Sequence, residues 1–190
     1  AQYIAEVARA VAAESPRFDA AAFTRSVLGD GWSELELKDR MHRIAAALHA
    51  HLPGSYRQQL AVLKRAAPPF GGFEAMFFPD FVEQFGRDDV EASLDALEHF
   101  TRFSSSEIAV RPFIAADPER MLARLLHWAG SRDEHLRRLA SEGSRPRLPW
   151  GMRLPLLIAD PAPLLPILET LRADPSEMVR RSVANSLNDI

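Results

Sequence analysis

RRLASEGSRPRLPW (137–150) and DPSEMVRRSVANSLNDI (174–190) share one pattern. In each, a helix-start signal ending in Glu precedes an Arg-Arg pair, and an apolar-periodic stretch follows. Placing Arg137-Arg138 over Arg180-Arg181 also puts Glu134 over Glu177, Trp128 over Leu171 and Glu142 over Asn185, an offset of 43 residues. A related pattern lies upstream in SSSEIAVRPFI, where Val110-Arg111 takes the place of Leu136-Arg137. Self-similarity at this period marks a helical solenoid. One copy departs from the others by the insertion GSRPRLPW, with Gly143, two Pro, two Arg and Trp150. A departure from a repeat is where a function is expected.

Outward from these stretches, nothing alternates with the period of a strand, and helix signals recur throughout. The spacing predicts helices over 2–13, 17–28, 34–51, 55–66, 79–86, 89–102, 105–115, 118–129, 132–142, 152–159, 162–172 and 175–189. Pro and Gly breakers such as Pro53-Gly54, Gly71-Gly72 and Asp117-Pro118 separate them. Short connections of this kind make antiparallel neighbours. The expected fold is all-α, a HEAT-like helical repeat solenoid with a concave face, in one domain over 1–190. Residues 1–70 would form an N-terminal helical layer, and 79–190 the repeat layer carrying the site. Ser104-x-x-Glu107, Ser131-x-x-Glu134 and Asp174-x-x-Glu177 read as capping boxes or close variants. Pro112 reads as a mid-helix bend. Phe70, Phe73, Phe77 and Phe78 read as core anchors, as do Trp32 and Trp128.

The 190 residues suffice for one sizeable core, and 47% apolar with 26% charged residues is ordinary for a globular protein. No run of 18 apolar residues suggests a membrane span, and IAEVARAVAA, interrupted by Glu6 and Arg9, is not a signal peptide. The absence of Cys excludes disulfides and thiolate metal sites, and suits a reducing cytoplasm. The chain stops on Ile190 inside a helical pattern, which reads as a fragment of a longer polypeptide. The net charge of −3 argues against a simple nucleic-acid binder, but its distribution is uneven. Residues 1–100 carry −5 and residues 101–190 carry +2, and between Arg137 and Arg153 five Arg face one acid, Glu142. Such an Arg field can steer a polyanion. The alternative is a solvated helix face of salt-bridged Arg.

FSSSEIAVRPFI, RRLASEGSRPRLPW and DPSEMVRRSVANSLNDI, together with LELKDRMHRIAAALHAHLP (35–53), resemble the AlkC-type DNA alkylation repair glycosylases. These are relatives of AlkD built from HEAT-like repeats. The resemblance implies excision of cationic methylated bases, such as 3-methyladenine and 3-methylcytosine, from DNA in base excision repair. It implies catalytic carboxylates at Glu107, Glu142 and Asp189, and an aromatic side chain beside the lesion's sugar at Trp150. Arg145 and Arg147 would contact the DNA backbone, and Arg153 is expected with them. The implied partner is alkylated double-stranded DNA, bound by a monomer with no metal or other cofactor and no membrane.

The residue types suit that chemistry. Cleaving an N-glycosidic bond builds positive charge on the deoxyribose, which a carboxylate stabilises while orienting water. A cationic base already leaves well, so no general acid is required. An aromatic face adds cation–π attraction. On spacing alone, Glu107 reads as a capping residue, Asp189 as a solvated terminal acid and Trp150 as a packing anchor. One Arg of each pair reads as structural. Glu142 sits at the negative end of a helix dipole just before Gly143, an unfavourable place for a carboxylate without a task. His42 and His49 share a helix face but lack a carboxylate at ligand spacing. A non-catalytic HEAT-like protein- or DNA-binding module remains the second reading, because solenoids serve both uses.

Overall fold

Ile4, Val7, Ala8 and Val11 recur at helical spacing and are buried along one face of α1 (Gln2–Glu14), the apolar stripe of an amphipathic helix. The same logic sets the later elements. The computed structural model describes residues 1–190, which form twelve α-helices and two 3-10 turns without a β-strand. The chain divides into two compact units, Ala1–Ser104 and Ser105–Ile190.

The first unit holds α1, α2 (Ala20–Leu28), α3 (Leu37–His51), α4 (Tyr56–Ala66), α5 (Phe77–Phe85) and α6 (Val90–Phe100). Helix α1 packs on α2 and α4, α3 on α2 and α5, and α6 on α4 and α5. Residues 79–100 therefore group with the N-terminal helices. The irregular stretch before α5 is held by aromatic contacts. Phe70 meets Tyr3 edge-on with centroids 5.8 Å apart, and Phe78 stacks on Phe100 at 5.4 Å. Phe70, Phe77 and Phe78 are core residues. Phe73 is not: it is 60% exposed, because the left-handed Gly72 turns the chain outward before the 3-10 turn Phe73–Met76. Trp128 is buried as expected, but Trp32 is only half-buried and lies under the Arg40 guanidinium at 5.5 Å. His42 does meet a carboxylate, from a helix remote in sequence: its Nδ1 is 2.7 Å from Asp80 of α5.

The second unit holds α7 (Arg111–Ala116), α8 (Pro118–Ala129), α9 (Glu134–Gly143), α10 (Pro155–Ala159), α11 (Leu165–Leu171) and α12 (Glu177–Asn188). Here the 43-residue offset becomes a stack of two helix pairs. Helices α8 and α9 pack together across a short turn, α11 and α12 likewise, with α11 on α8 and α12 on α9. Leu136, Leu139 and Ala140 of α9 and Val179 and Val183 of α12 are buried. Fully burying a side chain of Leu or Val size stabilises by about 1.5–3 kcal/mol. Ser141 donates to Ser182 at 2.7 Å, a buried polar contact between α9 and α12.

The helix starts differ from the capping boxes read in the sequence. Asp133 caps α9 by accepting from His135 N, and Asp117 caps α8 with Pro118 at its first position. Asp174 accepts from Ser176 N, one residue before α12. At α8 and α9 the Asp just before the helix supplies the cap, whereas α12 has no side-chain cap, and the Glu side chains are left to other partners. The segment 104–110 is a series of turns and no helix, so Pro112 falls at the second position of α7 and bends nothing.

Candidate functional site

The insertion begins where α9 ends. A Cβ at Gly143 would stand 2.7 Å from Val110 Cγ1, so no larger residue fits there without a shift. Pro146 and Pro149 then prevent a helix from resuming. The chain turns back on itself, with Gly151 N donating to Leu148 O and Leu154 N to Pro146 O. Trp150, at the tip, takes a left-handed φ of 65° and is 60% exposed. A bulky residue in that region is a genuine backbone outlier, of the kind that clusters at ligand clamps.

Two of the three expected carboxylates meet on one guanidinium. Arg145 donates to Glu142 Oε1 at 2.7 Å and to Asp189 at 2.9 and 3.2 Å. The side chains of Arg145 and Asp189 are each 11% exposed and that of Glu142 is 7%. Burial alone would lower the Arg145 pKa, but the bonds from Asp189 and Glu142 reverse that and hold it above its ordinary value. Arg147 adds its main-chain N–H to Asp189 Oδ2 at 3.3 Å and its guanidinium to the Asp189 carbonyl. Asp189 is thus no solvated terminal acid: it ties the end of α12 to the insertion. Arg145 was expected to contact the DNA backbone, but its fork is filled by these carboxylates. Arg147 and Arg153 are exposed.

Glu107 is tied to the same helix face. Its Oε2 accepts from Arg138 at 2.6 Å and from Ser105 Oγ at 2.6 Å, so it pairs with a cation of α9 in place of a cap. The two Arg-Arg pairs divide their labour alike. The first member folds back on the preceding loop: Arg137 donates to the carbonyls of Ser131 and Arg132, and Arg180 to those of Asp174 and Pro175. Arg137 also grips Asp174 at 2.6 and 3.0 Å. The second members, Arg138 and Arg181, line a cleft of about 480 Å³ with Glu142, Glu177, Met178, Ser182 and Asn185. The groups opposite Glu142 are repeat equivalents, and Asn185 stands where a second carboxylate would be. No group of three or more His, Asp or Glu side chains is arranged to hold a metal ion, and no helix is long and apolar enough to cross a membrane.

Two comparisons bear on this arrangement. The structure superposes on Pseudomonas fluorescens alkylpurine DNA glycosylase AlkC, solved bound to DNA containing an abasic site analog, with a TM-score of 0.95 and 45% identity over the whole chain. The chain is AlkC-like along its entire length. It is also 49% identical over 189 residues to the uncharacterized protein YhaZ of Bacillus subtilis. In both cases it spans about half of the relative, 53% of its length. No protein-family model matches.

Within this AlkC-like unit the structure joins Glu142 to Asp189 through Arg145 and hangs Glu107 from Arg138. It presents Trp150 on the adjoining loop. Sequence reasoning gave no role to Arg111, which is wholly buried and donates to the carbonyls of Gly143, where the insertion begins, and Met152, just past its end. Its signal was visible, since Val110-Arg111 aligns with Leu136-Arg137, but its partners lie 32 and 41 residues downstream.

Proposed function

We propose that this AlkC-like chain is a DNA glycosylase that hydrolyses the N-glycosidic bond of cationic N-alkylated bases, 3-methyladenine and 3-methylcytosine among them. It would act as a monomer on double-stranded DNA. The observation that carries the reading is Glu142 in the cleft, sharing the Arg145 guanidinium with Asp189, with Glu107 on Arg138 of the same helix and an exposed Trp150 on the insertion that follows. Glu142 is the one of the three that lines the cleft, where a cationic group would enter. In the reaction the C1′–N bond breaks and its electron pair returns to the base, cancelling the base's positive charge. The water oxygen bonds to C1′ and loses a proton to a carboxylate. Glu142, which opens on the cleft, is placed to stabilise the cationic sugar and to take that proton. Trp150 supplies an aromatic face for the same charge.

The test is release of free base from methylated duplex DNA, with Glu142→Gln alongside. Removal of one preorganised electrostatic contact lowers such rates by about 100-fold, and that loss is expected here. Full excision by the Glu142→Gln protein would overturn the assignment. No excision by the unaltered chain, with DNA binding intact, would favour a binding module.

A further inference from the structure

Arg111 is a cation with no solvent exposure, and no carboxylate is bonded to it. Its Nε donates to Met152 O at 2.6 Å and one terminal nitrogen to Gly143 O at 2.8 Å. The other terminal nitrogen reaches Pro146 O at 3.5 Å, the limit of a bond. These carbonyls belong to the two ends of one segment: Gly143 closes α9, and Met152 follows the turn that carries Trp150. The guanidinium thus staples the insertion shut from below.

Two glycines fit that staple. A Cβ at Gly151 would stand 3.0 Å from Arg111 Cδ and 3.1 Å from its Nε. At Gly143 a Cβ would collide with Val110, the neighbour of Arg111. The residues just before these glycines are Glu142 and Trp150. Whatever fixes Gly143 and Gly151 therefore fixes the carboxylate and the aromatic ring of the proposed site.

The repeat supplies a contrast. Arg137, the counterpart of Arg111 in the alignment, donates to the loop before its own helix and, 37 residues on, to the Asp174 carboxylate. Arg111 reaches as far forward but meets carbonyls only, at the two ends of a segment the other repeat lacks. Burial lowers its pKa to about 10, opposed by the negative charge of Asp189, Glu107 and Glu142, and it stays charged at neutral pH. All three carboxylates lie within its electrostatic reach.

We propose that Arg111 is the positioning residue of the site: it touches no substrate, but sets the Glu142-to-Trp150 geometry by clamping Gly143 and Met152. This rests on the glycosylase reading for its catalytic half only. A planar fork meets several carbonyls at once, whereas an ammonium on a flexible stem does not. Arg111→Lys retains the charge and loses the clamp. Gly151→Ala retains the charge and presses on the clamp, which guards against a simple folding failure of Arg111→Met.

The experiment combines hydrogen exchange with single-turnover excision from 3-methyladenine duplex DNA, in all three variants and the parent. Amides of Gly151 and Leu154 should exchange faster in each variant, while those of α8 stay protected. Single-turnover excision should fall by up to about 100-fold, the effect of an ångström-scale misplacement, while the Kd for undamaged duplex moves less than about threefold. A merely structural Arg111 lowers melting temperature without moving the ratio of rate to affinity. Unchanged exchange of Gly151 and Leu154 overturns the clamp. Faster exchange with undiminished excision overturns the positioning role. No excision by the parent overturns the glycosylase reading and this catalytic half with it, and the exchange data still decide the clamp.

Discussion

Replacing Arg145 with Met deletes a guanidinium and leaves the carboxylates of Glu142 and Asp189 in place, 7% and 11% exposed. Three charge-assisted bonds of 2.7, 2.9 and 3.2 Å disappear. Summing about 1.5–3 kcal/mol for each would overshoot, because forming the trio required removing three charges from water. The relevant quantity is the penalty of stranding buried charge, about 3–5 kcal/mol when one partner of a buried pair is removed. For a chain of this size that lowers Tm by about 10 °C. Circular-dichroism melts at pH 7.5 measure it directly. A variant melting within a degree of the parent would falsify the view that Arg145 neutralises the pair.

Two further outcomes follow from other parts of the molecule. Glu83 of α5 is raised in pKa by burial and then by Asp80, and its Oε2 is buried without a partner. A raised carboxyl costs stability above its folded pKa and nothing below about pH 4, where it is protonated in either state. Glu83→Gln should therefore stabilise by about 1 kcal/mol at pH 8, and the gain should vanish in melts near pH 4; a destabilised variant at pH 8 would show an unseen cation on Glu83. For DNA, Arg147 and Arg153 are the exposed members of the Arg field, and each phosphate they neutralise adds about 0.9 to the slope of log affinity against log salt. Replacing both with Ala should flatten that slope by about 2, and a fluorescence-anisotropy salt titration with unchanged slope would move the DNA surface elsewhere.

The fold was legible because its determinants are local. Apolar spacing and Pro/Gly breakers placed eleven of the twelve helices within three residues at each end, and the 43-residue offset anticipated α9 on α12. The misses share one cause. Ser-x-x-Glu spacing suggested a cap at Glu107, but capping competes with any cation within reach, and Arg138 lies one packed helix away. Phe73 looked like its aromatic neighbours, yet the left-handed Gly72 before it decides which way the chain turns.

The site was legible as a list of residues and not as a set of partners. Five Arg against one acid over residues 137–153 suggested a field pointing outward to phosphate. Three of those five face inward: Arg137 to Asp174, Arg138 to Glu107 and Arg145 to Glu142 and Asp189. Most of those acids lie 31 to 44 residues away in sequence, one repeat distant, so a local charge count omits them. A stacked repeat brings equivalent positions of successive helices side by side, and a carboxylate one period away is then a near neighbour. The excess of Arg in the insertion thus measures how many carboxylates the adjoining repeats bring to it. Those same carboxylates become available to a cationic substrate only at the cleft edge, where Glu142 lies between Arg145 behind it and open space in front.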